Sequence, residues 1–171
     1  MERQQQITDW LTALWPKRQF SLLPASADAS FRRYFRVTLD DGSTAIVMDA
    51  PPAVEDCRPW LHVQQLFSAT GVHVPTVLAQ DIERGFLLLS DLGNTTYLSQ
   101  LTADTAPAMY GAAITALIKI QQASRPGVLP EYDHALLKRE LDLFPDWYLA
   151  RHHQLTLTDT LRAELDTVFE R

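Results

Sequence analysis

One cysteine in 171 residues, Cys57, leaves no partner for an internal disulfide and points to a reducing compartment, the cytoplasm. No general base is recognisable beside it, so it reads as a small, partly buried side chain near a helix start rather than a nucleophile. Histidines are few. His62 and His73 are isolated, and His134, His152 and His153 have neither H-E-x-x-H spacing nor an Asp two residues on. Lysine is missing between Lys17 and Lys119, the net charge is −6, and no long basic run exists to neutralise phosphates, which argues against a nucleic-acid partner. No run of about 18 apolar residues occurs. The opening MERQQQITDW carries charge and glutamine where a signal peptide has its apolar stretch, so neither membrane nor export is expected. None of the six glycines belongs to a Rossmann fingerprint or a Walker loop, and no nucleophile elbow is present.

What is present is enough apolar sequence, 46%, to bury a core. Ile7, Trp10, Leu11, Leu14 and Trp15 recur at helical spacing until Pro16, predicting a helix over 2–15. From 19 to 49 the period changes to two, through QFSLLPA, FRRYFRVTL, the turn DDGS, and TAIVMD. In the middle strand, Phe31, Arg33, Phe35 and Val37 share one face, and Arg32, Tyr34, Arg36 and Thr38 the other. EDCRPWLHVQQLFSATG then predicts a helix with Pro59 in its first turn and Gly71 as its stop. PTVLAQD, IERG and FLLLSD predict a hairpin that adds two strands. From about residue 97 the pattern is helical. One helix lies within 104–124, a second runs through HALLKRELDLFPDWYLARHH with a kink at Pro145, and a third starts at Thr158 or Asp159 and carries no stop signal. The expected class is α+β, with a sheet unit over 1–93 and a helical unit over 94–171 that looks cut off.

Five segments in this order, DASFRRYFRV, AIVMDAPP, GVHVPTVLAQD, GFLLLSDLG and LLKRELDLFPDWYL, resemble the aminoglycoside phosphotransferase-like small-molecule kinases. Within them the likeness is to the bacterial kinases that phosphorylate the anomeric hydroxyl of N-acetylmuramate and N-acetylglucosamine. The resemblance implies a protein-kinase-like amino-terminal lobe, a five-stranded antiparallel sheet plus a helix, followed by the first helices of the second lobe. It implies ATP and Mg2+ as cofactors and an amino sugar as the other partner. The bend SADAS would lie over the nucleotide phosphates, with Ser26 and Ser30 as hydroxyl donors and Asp28 fitting the turn. Arg32 and Arg33 would supply charge-assisted phosphate contacts, Tyr34 would face the adenine, and Ser90, Asp91 and Leu92 would form the hinge. Glu140 and Trp147, beside Phe144 on one helix face, are candidates for the sugar.

Two departures stand beside this. The third strand reads AIVMD, with Met48 and Asp49 where a kinase carries its lysine, so an arginine of the middle strand is the substitute, with Glu55 or Asp56 as possible partners. No His-x-Asp loop with its following Asn occurs, so no catalytic residue and no metal ligand is assigned within these residues. The plainer readings are a solvated arginine face, core aromatics at 31 and 35, capping carboxylates at 55 and 56, and helix packing at Glu140 and Trp147. The alternative to an inactive kinase portion is a non-catalytic nucleotide- or protein-binding module. A generic interaction domain with an acidic partner is a third possibility. Helices left uncovered would favour self-association.

Overall fold

The computed structural model describes residues 2–27 and 30–170, with Ser26 and Ala27 as backbone only. They fall into two units, Met1–Ala123 and Ser124–Arg171. In the first, α1 (Glu2–Leu14) precedes β1 (Phe20–Ala27), β2 (Arg33–Leu39) and β3 (Thr44–Asp49). Then come α2 (Arg58–Ala69), β4 (Val77–Asp81), β5 (Phe86–Ser90), the short α3 (Tyr97–Gln100) and α4 (Ala106–Ala123). The five strands form one antiparallel sheet in the order β1-β2-β3-β5-β4. The predicted α+β class, five strands and one helix between the third and fourth of them, is the architecture found.

The alternation of side chains assigns each face its helix. Ile7, Trp10 and Leu11 of α1 bury themselves against Phe35, Val37, Ala45, Val47, Phe86 and Leu88. The other face presents Met48, Leu87 and Leu89 to Cys57, Trp60 and Leu61 at the start of α2. Strand β5 is covered on both sides, so Phe86–Leu89 are apolar without interruption rather than alternating. Each such side chain contributes about 1.5–3 kcal/mol by leaving water. Cys57 lies in this core, and burial pushes its thiol pKa up, away from the reactive thiolate. Pro24 is tolerated because β1 is an edge strand, and the ladder slips by one residue between Pro24 and Ser26. Phe31, which alternation would place with Phe35, precedes the strand and is two-thirds exposed.

Helix α4 buries nothing fully, and Tyr110, Ile114, Leu117 and Ile118 form an exposed apolar stripe at helical spacing.

In the second unit, Asp133 caps α5 (His134–Leu143) by accepting the Leu136 N–H at 2.8 Å. Thr158 does the same for α6 (Asp159–Phe169). Lys138 reaches both Asp142 and Asp166, and His134 meets Glu170 at 2.7 Å, tying α5 to α6. Beyond Leu143 the chain widens into a π-helix, Phe144–His152, where the sequence reading expected a kinked α-helix. Pro145 accounts for this. It has no N–H for the Leu141 carbonyl and its ring would press on that oxygen, so the following turns bond five residues apart, as His153 N–H does to Tyr148 O.

Candidate functional site

Two neighbouring arginines leave the start of β2 for opposite faces of the sheet. Arg33 takes the α1 face with Phe35, where its Nε donates to Asp49 Oδ2 at 3.1 Å. The other oxygen of Asp49 accepts from Arg3 Nε of α1 at 2.9 Å, and Arg3 also donates to the Arg84 carbonyl at 2.7 Å. Asp49 is fully buried, and the Arg3 guanidinium lies 4.7 Å from the centre of the Phe86 ring. One carboxylate thus ties α1, β2 and the β4–β5 hairpin together. This buried clamp was not foreseen; its signal was an acid closing an otherwise apolar strand.

The α2 face carries the groove. Tyr34 and Arg36 of β2, Ile46 of β3, Leu89 of β5 and Trp60 of α2 line a cleft of about 450 Å³ that ends at residues 90–94. Its floor is apolar and its rim is the extended segment after β5. Arg36 fixes that rim. Its Nε donates to Asp91 Oδ2 at 2.6 Å and its Nη2 to Oδ1 at 3.1 Å, while the Gly93 N–H donates to Asp91 Oδ1 at 2.8 Å. The Arg36 hydrogen bond, helped by the Gly93 N–H and Thr44, holds the Asp91 carboxyl down at about 2.

Because that pKa is depressed on folding, the stabilisation is whole above the ordinary carboxylate range and is lost as pH falls toward 2. The parent should therefore exceed D91N in stability at about pH 5, and the gap should close by about 2 kcal/mol at about pH 2. Urea midpoints for both proteins at the two pH values check this. A gap that stays constant would mean that Asp91 does not titrate as the geometry requires.

Tyr34, Ser90, Asp91 and Leu92 line this one cleft, with Leu92 half exposed at the lip. Ser90 is engaged toward β4: its N–H donates to Thr76 O at 2.8 Å, and its Oγ accepts the Thr76 N–H at 2.9 Å. Arg32 sits in an adjoining groove of about 510 Å³ with Val54, Glu55, Asp56, Pro59 and Val63, and Trp60 walls both. Arg32 Nε donates to Ser30 Oγ at 3.0 Å and lies 3.8 Å from Glu55. Arg33 is not part of this gathering, because it faces Asp49 on the opposite side. Ser26 places its backbone opposite Tyr34; its side chain, and Asp28 entirely, lie outside the described residues. Met48 is fully buried against Leu87 and Leu89, so the third strand offers no cation to the cleft.

Glu140 and Trp147 belong to the second unit. Glu140 is exposed and pairs with Arg139 at 3.4 Å, and the Arg151 guanidinium lies 3.9 Å from the Trp147 ring centre. The π-turns carry fewer degrees per residue, so Trp147 drifts off the line through Glu140 and Phe144 that an α-helix would have kept. Arg36, Ile46, Leu89 and Trp60 are among the cleft residues that reading the sequence did not assign. The signal for Ile46 was its alternation with Met48, and for Trp60 its place on the apolar side of α2.

The model of the phosphotransferase enzyme family matches residues 21–171. The N-acetylmuramate/N-acetylglucosamine kinase of Pseudomonas aeruginosa is 52% identical over 160 residues, covering 88% of this chain and 47% of its own length. Its namesake from Neisseria meningitidis serogroup B is 46% identical over 162 residues, covering 92% and 48%. The Pseudomonas putida protein of that name is 51% identical over 143 residues, covering 84% and 42%. The chain therefore spans about half the length of the curated relatives it matches. A solved structure, the streptomycin-ATP-APH(2")-IIa ternary complex, superposes with a TM-score of 0.52 at 13% identity, covering 96% of this chain and 56% of that one. At that identity the likeness is one of fold.

Proposed function

The chain belongs to the phosphotransferase enzyme family, and from that premise we propose that it forms the nucleotide-binding portion of an ATP-dependent kinase. The acceptor is a sugar hydroxyl of the N-acetylmuramate or N-acetylglucosamine type. The observation that carries this is the cleft on the α2 face: an apolar floor of Ile46 and Leu89, an aromatic wall, and an extended rim held rigid by Arg36 and Asp91. A planar base fits such a slot, with the backbone of Leu92 at the rim to meet its polar edge. The sugar assignment is supported by the names of relatives near 50% identity.

ATP supplies the phosphoryl group. What these residues do is hold the base, orient the nucleotide and exclude water from its apolar side. Among the described residues no three His, Cys, Asp or Glu side chains converge as ion ligands. The Mg2+ ligands and the group that orients the acceptor hydroxyl are assigned to the remaining half of the relatives' length. Also among the described residues, no helix is long and apolar enough to cross a membrane.

Two measurements test the reading. Adenosine titrated into the 171-residue chain should shift the amide signals of Tyr34, Ile46, Leu89 and Leu92, with a dissociation constant on the order of a millimolar. Shifts confined to other parts of the chain would overturn the cleft assignment. With ATP, Mg2+ and either sugar, the chain alone should form no sugar phosphate above the no-enzyme control; turnover would show that the catalytic groups are already here. The exposed stripe of α4 is further proposed to pair with that of a second copy. Light scattering should then show a mass that rises with concentration, and a constant monomer mass would refute this.

A further inference from the structure

The π-helix of the second unit buries Pro145 and leaves its rings in solvent. Phe144, Tyr148 and His152 stack in a line with centroids 5.5 and 5.6 Å apart, and Trp147 stands beside them, about half exposed. Aromatic area of this kind is still available to a flat ligand. The Arg151 guanidinium lies over the Trp147 ring, 3.9 Å from its centre. Among the described residues, three other cations lie over rings, and each of them, Arg3, Arg84 and Lys138, also holds a carboxylate. Arg139 and Arg162 of this unit likewise face Glu140 and Asp146. Arg151 holds no acid, so the indole sets the plane of a guanidinium whose N–H edge is unspent.

We propose that Trp147 and Arg151 form a sugar subsite that favours N-acetylmuramate over N-acetylglucosamine. The inference rests on the sugar-kinase reading given above. The two sugars share a pyranose ring and an acetamido group, and N-acetylmuramate adds a lactyl ether that ends in a carboxylate. Arg151 occupies one face of the indole, and the exposed remainder takes the C–H face of the pyranose, removing apolar area from water on both partners. The lactyl carboxylate meets the edge of Arg151, whose planar fork offers parallel N–H groups to the two oxygens. The ring serves either sugar. The guanidinium tells them apart. Glu140, paired with Arg139, has no part in this, and a carboxylate in its place would repel the acidic ligand.

The test is a titration of the 171-residue chain with N-acetylmuramate, N-acetylglucosamine and lactate, followed by amide and indole signals. N-acetylmuramate should shift the Trp147 indole and the amides of residues 147–152, with a dissociation constant on the order of a millimolar. It should bind about fivefold tighter than N-acetylglucosamine, and added salt should shrink that ratio. R151Q should erase the preference while leaving N-acetylglucosamine affinity unchanged, and R151K should keep part of it. W147A should weaken both sugars; if it does not give a folded spectrum, R151Q and R151K decide alone. Lactate should bind about tenfold more weakly than N-acetylmuramate, since it brings no ring. Equal binding of lactate would reduce Arg151 to an exposed cation that attracts any carboxylate, and the proposal would fail. It fails equally if the parent does not distinguish the sugars, if the preference survives R151Q, or if the shifts lie elsewhere in the chain. Adenosine added to the same samples separates the two failures. Adenosine binding without a sugar response at Trp147 removes this subsite alone, whereas no adenosine binding removes the kinase reading beneath it.

Discussion

Asp49→Ala is expected to cost about 3 kcal/mol of stability, far more than the removal of an exposed acid would. The carboxylate is fully buried and holds guanidinium groups from α1 and from β2, one on each oxygen. Deleting it leaves two cations facing an apolar pocket beside Phe86, and both must turn out to water. They can do so because Arg3 and Arg33 are partly exposed already, which keeps the cost below that of stranding a buried charge. The larger loss is mechanical. Arg3 also donates to the Arg84 carbonyl, so α1 loses its polar tie to β3 and its orientation over the hairpin together. Tryptophan fluorescence in urea reports this, since Trp10, Trp15 and Trp60 lie in the first unit. The midpoint should fall while the slope holds. D49A within about 0.5 kcal/mol of the parent would reduce the clamp to a surface ion pair.

That clamp also marks where local sequence ceases to be informative. Alternation in FRRYFRVTL separated Arg33 from Arg32 correctly, because a strand's period of two is a property of the backbone itself. Which face would carry the cleft was not legible, since it depends on α2 covering one side and α1 the other. Both arginines were therefore assigned to phosphate, and the structure puts Arg33 on the α1 face against Asp49, away from the cleft. Asp49 finds its partners 46 and 16 residues away, beyond any local window. FLLLS, by contrast, was legible as a strand of the hairpin because its apolar run ends at polar residues; burial on both faces is what the structure adds. Pro145 was legible as an interruption but not as a π-helix, because the missing N–H removes one bond without specifying how the next turn closes.

Gly85→Ala should be among the most damaging single-methyl additions to the sheet unit. Gly85 ends the β4–β5 turn with φ +70°, a left-handed conformation that already costs an alanine about 1–2 kcal/mol. A Cβ built there would sit 1.9 Å from the Ala50 carbonyl oxygen, a backbone atom that cannot swing aside as a side chain would. Relief requires the hairpin to withdraw from the end of β3. That motion breaks the 2.8 Å hydrogen bond from Ala50 N–H to Gly85 O and disturbs the pairing of Asp49 with Phe86. Together these losses amount to about 4 kcal/mol, so G85A should be largely unfolded if the parent is only marginally stable. The shift also carries Arg84, whose carbonyl anchors Arg3, away from the clamp. G85A and D49A therefore damage one linked arrangement, and the double variant should be more stable than the sum of the single losses implies, by about 1 kcal/mol or more. A milder partner, R3A, permits the same cycle with D49A if G85A does not fold. Strict additivity in that second cycle would mean that the hairpin, the first helix and the end of β3 are stabilised independently, and that Asp49 does not join them.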